Sequence, residues 1–356
     1  MKILQVITSL HIGGAEKLIV DIVPRLIDKG HTVDVVLFDG STTNFIEELT
    51  KYNCKIFRFS NGGSVYNPLY ILKLRKIITN YDIIHTHNTS PQLFVAIANI
   101  CNKKVLCTTE HNTSNRRRSW SWYKPIDRWM YNQYACTICI SDKAQEYIEV
   151  FLPNLKTQIR TIYNGIDVAK FHNAISDETL AKRKFTIAMV AGFRPQKDQD
   201  TLIKAMALLP LTNTELWLVG DGERKSILMQ LTQELGLEDN IKFLGIKSNI
   251  PEILHAADVI VMSSHYEGLS LSSIEGMSVN KPFIASNVDG LHEIVKGYGV
   301  LVEHENAEAL AAEITKLMDN YEYYQQIAAK CYERAQQFDI SKTVDGYLNI
   351  YKSIIS

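Results

Sequence analysis

Residues 258–287 read DVIVMSSHYEGLSLSSIEGMSVNKPFIASN. The stretch opens with an apolar run, DVIVMSS. A loop with Glu267 and Gly268 follows, then the serine-led segment SLSSIEGMSV, then a second apolar run, KPFIASN. Apolar runs without alternation are strands buried on both faces, as in parallel sheets. Strand, helix and strand in succession form the parallel crossover unit.

The same alternation extends in both directions. Upstream lie the strands FTIAMVAG, TELWLVGDG and IKFLG, separated by the helical segments DQDTLIKAMALL and ERKSILMQLTQELG; downstream come GVLVE, AEALAAEITKLMD and a helical C-terminus. Residues 167–184 are polar, carry no strand signal and read as a linker. Before them a second alternating set begins with KILQVIT, a Gly13-Gly14 turn, the helical AEKLIVDIVPRLIDKG and the strand HTVDVVLFDG. DIIHTH, KVLCTTEH, CTICIS and IRTIYNG continue it. The expected fold is α/β, with two doubly wound parallel-sheet halves. Ligands of such sheets bind outside the carboxyl ends of the strands, so the residues just after each strand are the candidates.

Composition narrows the function classes. The chain has 356 residues, enough for about two domains by size, with 46% hydrophobic and 22% charged residues. That balance excludes a largely disordered or fibrous protein. Lys and Arg number 38 against 39 Asp and Glu, a net charge of −1, so no global basic field for nucleic acid exists. No apolar run approaches a membrane span, and the N-terminus reads as a first strand rather than a signal peptide. The six cysteines are scattered, which suits a reducing cytosol. Cys136 and Cys139 lie three apart in a strand, on opposite faces, poorly placed to share a disulfide or metal.

Several post-strand positions suit a phosphorylated ligand. Gly13 and Gly14 open a helix, whose free amides favour an anion; the pattern is not G-x-G-x-x-G, which disfavours an NAD dehydrogenase. Arg194 and Lys197 follow the first strand of the second half and suit a diphosphate. Gly220 and Gly222 form a turn able to pass a planar base. Glu267 and Glu275 would lie about 80° apart in one helix, but Gly268 and the serines place Glu267 in the loop. A serine then caps a helix starting near Ser270–Ser273, with Glu275 in or near its first turn. Amides at Ser270 and Leu271 would hold a phosphate, with one carboxylate on either side to grip hydroxyl-bearing groups. That is the layout of a nucleotide-sugar. His85, His87 and His111 stand at strand ends without metal-ligand spacing.

At these residues the sequence resembles glycosyltransferase family 4, the retaining GT-B transferases. The resemblance runs along nearly the whole chain: GGAE, the T-E-H at Thr109–His111, NGID at Asn164–Asp167, G-x-R-x-x-K, V-G-D-G, F-L-G, and E-x7-E followed by KPFIAS and VDGLHEIV. It implies two Rossmann-like domains facing a cleft that closes around the reaction. Residues 1–167 would be the acceptor side, 168–337 the nucleotide-sugar domain, and 338–356 a helix returning to the first domain. It implies that Glu275 binds the ribose, Glu267 sits beside the donor sugar, and Arg194 and Lys197 neutralise the leaving diphosphate. Amides at Ser270, Leu271 and Gly14 would add donors; His111 would face the sugar; Gly222, Gly245 and Ile246 would contact the base. Gly276 departs from the usual family alanine and should cost about 1 kcal/mol of helix stability; Asn280 can supply a left-handed cap.

The catalytic set is therefore Glu267, His111, Arg194 and Lys197. No D-x-D motif sits at a strand end and two cations can replace a divalent ion, so neither a metal nor another cofactor is expected. The donor is expected to be UDP-linked, and the acceptor a glycan or polyprenyl-diphosphate-linked sugar in bacterial surface polysaccharide assembly. A nucleotide-sugar epimerase and a non-catalytic nucleotide-sugar binder are the competing classes; E-x7-E and His111 favour transfer. Arg116, Arg117, Arg118, Trp120, Trp122, Tyr123, Lys124, Arg128 and Trp129 form a basic-aromatic cluster suited to an anionic membrane surface. The expected location is the cytoplasm, peripherally on the inner face of the membrane.

Overall fold

The computed structural model describes residues 1–11, 13–111, 120–176 and 184–355. Two compact units emerge: Met1–Gly165 together with Ile340–Ser356, and Ile166–Asp339. Arg116, Arg117 and Arg118 lie outside the described residues.

The first unit is a seven-stranded sheet. Its strands are β1 (Lys2–Ile7), β2 (Thr32–Leu37), β3 (Ile56–Arg58), β4 (Ile83–His87), β5 (Val105–Glu110), β6 (Cys136–Cys139) and β7 (Gln158–Thr161). Their order is β3-β2-β1-β4-β5-β6-β7, and every pairing is parallel. Helices cover both faces, which is why β1 beyond Lys2 and all of β4 are buried. The Cys136 side chain joins the core on one face and Cys139 the core on the other, as the period of two requires. The last helix, Ile340–Ile355, packs in this unit, with Val344, Tyr347, Leu348 and Tyr351 buried against Ile3, Val33 and Cys107.

The second unit contains β8 (Phe185–Val190), β9 (Thr214–Val219), β10 (Ile241–Gly245), β11 (Val259–Met262), β12 (Phe283–Ser286) and β13 (Val300–Val302). The order is β10-β9-β8-β11-β12-β13, again parallel throughout. In each unit the chain winds outward from one central strand and then returns to its other side. The reversal lies between β1 and β4 in the first sheet and between β8 and β11 in the second. A crevice opens at such switch points, outside the carboxyl ends of the strands.

The sequence reading needs three corrections. The edge strand β3 was not foreseen; its three residues are half-buried or exposed, too short and polar for a strand signal. The supposed linker contains a helix, Val168–His172, because the Asp167 carboxylate caps the Lys170 N–H and Val168 and Phe171 are buried. Glu275 lies just after the first turn of the helix Leu271–Ser278, as expected. Gly276 is not a tolerated defect. A Cβ there would lie 2.8 Å from the Phe283 ring and 2.9 Å from Ile260, so the strand beneath leaves no room for alanine. Asn280 does adopt the left-handed conformation, at φ 55°.

Candidate active site

The switch point of the second sheet gathers the largest set of candidate residues. β8 runs into a turn, Pro195–Lys197, and β11 into the loop 263–269. Two hydrogen bonds bind these segments directly. Gln196 Nε2 donates to Tyr266 O at 2.8 Å, and the His265 N–H to Gln196 O at 2.8 Å. Lys197 Nζ then meets Glu267 Oε1 at 2.5 Å, with side chains 17% and 8% exposed. Ser264 Oγ donates to the same Oε1 at 2.6 Å, and the Glu267 N–H to Asp289 O at 3.0 Å. Glu267 is therefore a held, charge-compensated carboxylate. Arg194 is exposed and makes no ion pair among the described residues, so it is the cation free to meet an incoming diphosphate.

Glycines carry the walls of the crevice. Gly222, at φ 158°, brings its turn so close to the β8 loop that a Cβ would lie 2.4 Å from Phe193 O. The Phe193 N–H donates to Asp221 O and the Arg224 N–H to Phe193 O. Gly222 thus also supports the segment presenting Arg194. Gly245 has φ 71° with open space around it, and Ile246 beside it is 80% exposed, an apolar surface left at a strand end. Gly290 does for the Glu267 loop what Gly222 does for β8: a Cβ there would lie 2.3 Å from Glu267 O.

The helix Leu271–Ser278 begins next to Glu267. Ser270 is its N-cap residue, but its side chain makes no capping bond; its hydroxyl accepts from Ser273 Oγ at 2.8 Å instead. The first amides of a helix have no partner within it. With Ser270 engaged elsewhere, those of Leu271 and Ser272 remain available to an anion, aided by the helix dipole. Glu275, half-buried, lies one turn further along.

The remaining two candidates are in the first unit. Gly14 starts the helix Gly14–Asp28 with open space over its Cα, while the Glu16 carboxylate folds back over Gly13. His111 follows β5 and belongs to a network that sequence reasoning did not join. Its Nε2 is 2.9 Å from His87 Nδ1, and His87 Nε2 is 2.8 Å from Gln5 Oε1. Gln5 Nε2 reaches Tyr351 OH at 3.3 Å, which meets His85 Nδ1 at 2.5 Å; His85 Nε2 lies 2.8 Å from Thr109 Oγ1. The chain thus runs from His111 through two central strands to the C-terminal helix. Burial holds the imidazoles neutral: His111 is pushed down to about 4, with Glu110 opposing, and His85 to about 3.

The profile "Glycosyltransferase Family 4" matches residues 12–170, and "Glycosyl transferases group 1" matches residues 171–336. The chain belongs to glycosyltransferase family 4. This family 4 protein is 28% identical over 306 residues to the putative glycosyltransferase EpsD of Bacillus subtilis, covering 79% of each chain. It is 27% identical over 312 residues to the UDP-Gal:alpha-D-GlcNAc-diphosphoundecaprenol alpha-1,3-galactosyltransferase of Escherichia coli, covering 80% of this chain and 79% of that one. The crystal structure of HepE from Anabaena, in complex with UDP, matches with a TM-score of 0.84 at 25% identity, over 99% of this chain and 100% of that chain. The fold is accordingly GT-B, with two Rossmann-like domains, and the protein is a glycosyltransferase.

One further cluster has no counterpart in the sequence reading. Asp198, His265 and His304 bring one donor atom each to within 4.8 Å of one another. They are 67 and 39 residues apart in sequence, follow three different strands, and form no spacing motif.

Proposed function

We propose that this protein is a retaining glycosyltransferase that moves a sugar from a UDP-sugar to a polyprenyl-diphosphate-linked or glycan acceptor in bacterial surface polysaccharide assembly. The observation that carries the donor half is the β8–β11 switch point, where Arg194, the Lys197–Glu267 pair and a helix start with uncapped amides converge. The UDP complex of HepE and the UDP-galactose donor named for the Escherichia coli relative support UDP as the carrier.

Charge governs the mechanism. Departure of the nucleoside diphosphate builds negative charge on the β-phosphate and positive charge at the anomeric carbon. Arg194, Lys197 and the amides at Ser270 and Leu271 stabilise the first, the kind of fixed electrostatic stabilisation that usually dominates catalysis. In this reading no divalent ion is needed at the diphosphate, and no other cofactor. Once the diphosphate draws on Lys197, the Glu267 carboxylate is freed toward the sugar, beside the developing positive charge. Glu275 binds the ribose, and Gly245 and Ile246 border the base. His111, neutral at pH 7, serves the donor sugar as a hydrogen-bond partner rather than as a cation; Gly14 contributes an amide.

The acceptor half rests on the aromatic surface of the first unit. Trp120 and Trp122 stack at 5.7 Å and are 44% and 65% exposed; Trp129 is half-exposed and Lys124 and Arg128 lie nearby in sequence. Such side chains suit the interface of an anionic membrane, which would keep the protein at the inner face of the cytoplasmic membrane and bring it to a lipid-linked acceptor. No helix among the described residues is long and apolar enough to cross a membrane.

The test is transfer itself. Incubation of UDP-galactose, UDP-glucose and UDP-N-acetylglucosamine with an undecaprenyl-diphosphate sugar should give one product, and NMR should show the donor's anomeric configuration retained. Donor interconversion without acceptor would identify an epimerase, and binding without any turnover a non-catalytic protein. Failure to float with anionic liposomes would remove the membrane contact.

A further inference from the structure

Asp198 ends the turn that presents Lys197. It sits in the left-handed region at φ 47°, which Asp tolerates better than most residues, and is 4% exposed. One carboxylate oxygen caps the helix Gln199–Met206 by accepting the Thr201 N–H at 3.3 Å. The other, Oδ2, is buried with no hydrogen-bond partner among the described residues. A buried carboxylate oxygen left unpartnered is costly, and few native groups are left so.

Two imidazoles meet at this carboxylate. His265 Nδ1 faces His304 Nε2 at 2.7 Å, with the rings nearly perpendicular at 89°. Glu305 Oε1 stands 3.6 Å from the same Nδ1, at the surface. Two imidazole nitrogens and a carboxylate, from three separate segments and within 4.8 Å of one another, form the donor set of a borderline transition ion rather than of Mg²⁺ or Ca²⁺, which take oxygen ligands.

We propose that Asp198, His265 and His304 bind one divalent ion of the Zn²⁺, Co²⁺ or Ni²⁺ class. Tetrahedral ligands at about 2.1 Å from such an ion lie roughly 3.4 Å apart, so the two ring nitrogens must open by about 0.7 Å from 2.7 Å, and the widest separations, up to 4.8 Å, must close by about 1.4 Å. Glu305 or water supplies the fourth ligand. The ion clips together the turn after β8, the loop after β11 and the segment after β13. Asp198 adjoins Lys197, and His265 precedes Glu267 by two residues, so the clip fixes both partners of the crevice ion pair from behind. It is a positioning site, set apart from the diphosphate chemistry, and it stands whichever donor the enzyme uses.

The full chain, stripped with a chelator and dialysed, is titrated with Zn²⁺ and with Co²⁺, following thermal melting and the visible absorption of Co²⁺. The expected result is one equivalent bound, a raised melting temperature, and the visible bands of low-coordinate Co²⁺ with nitrogen ligands. His304→Ala and Asp198→Asn should each weaken binding by at least about tenfold, the least that losing even an outer-shell partner costs at a metal site. Asn keeps the helix cap, and each stripped variant should melt near the stripped wild type, which separates loss of ligand from loss of fold. No Zn²⁺ or Co²⁺ binding by the wild type, or binding unchanged in both variants, would overturn the proposal and leave a hydrogen-bonded histidine pair.

Discussion

Lys197 Nζ and Glu267 Oε1 form a largely buried ion pair that joins the turn after β8 to the loop after β11. Breaking such a pair from one side strands the other charge, which costs about 3–5 kcal/mol. Lys197→Met should therefore destabilise the second unit by about 3 kcal/mol in urea unfolding, somewhat relieved by Ser264, which also bonds the carboxylate. The double variant Lys197→Met/Glu267→Gln should cost less than the sum of the single changes. Strict additivity would mean that the pair is not coupled in solution.

Gly276 gives a test in which two effects have opposite signs. Helix propensity alone predicts that Gly276→Ala gains about 1 kcal/mol. The contacts a Cβ would make with Phe283 and Ile260 predict a loss of about 1–3 kcal/mol from overpacking. A lower denaturation midpoint is expected; a higher one would show that the helix can shift away from the sheet.

The buried histidines set a pH dependence for the first unit. The pKa values of His111 and His85 fall from about 6.5 when unfolded to about 4 and about 3 in the fold. Below about pH 6.5 the unfolded chain takes up protons that the folded chain refuses. Stability is fully present above that pH and declines as pH falls toward the folded values, by up to about 1.4 kcal/mol per pH unit for each histidine. Melting temperatures measured from pH 7.5 to 5 should fall, and His85→Gln should flatten the slope. A flat profile would mean that the network is hydrated and titrates normally.

The proposed metal-free diphosphate site and the proposed metal clip behind it make separable predictions. In His304→Ala, where the clip is removed, EDTA should leave turnover of the donor unchanged, and Mg²⁺ or Mn²⁺ should not raise it. Loss of turnover in EDTA, restored by Mg²⁺ or Mn²⁺ in that variant, would contradict charge neutralisation by Arg194 and Lys197.

What the sequence disclosed followed from period and punctuation. Short apolar runs such as DVIVM and FTIAMV, alternating with segments of helical period, made the α/β class legible. Edge strand β3 was not, because a half-exposed Ile-Phe-Arg carries no such run. Arg194, Lys197 and Glu267 could be named from their places after strands, but their pairing could not. The order β10-β9-β8-β11, which makes β8 and β11 neighbours, is a tertiary fact. The same strand order hid the Asp198, His265 and His304 cluster, which follows β8, β11 and β13. The packing of Gly222 on Phe193 O was not legible, because that constraint comes from a segment 29 residues earlier.

The central claim is that the β8–β11 crevice holds a nucleoside diphosphate. Thermal shift against UDP, GDP and ADP, followed by titration with the best binder, tests it most directly. Ligand at 100 times its Kd stabilises the folded protein by about 2.7 kcal/mol. The account predicts a shift with UDP in the wild type. Arg194→Ala should melt normally, because the side chain is exposed and makes no ion pair among the described residues, yet bind UDP about 10–100-fold more weakly, the range for a lost hydrogen bond to a charged group. Well-folded wild type that shifts with none of the three, or UDP binding left intact by Arg194→Ala, would contradict it.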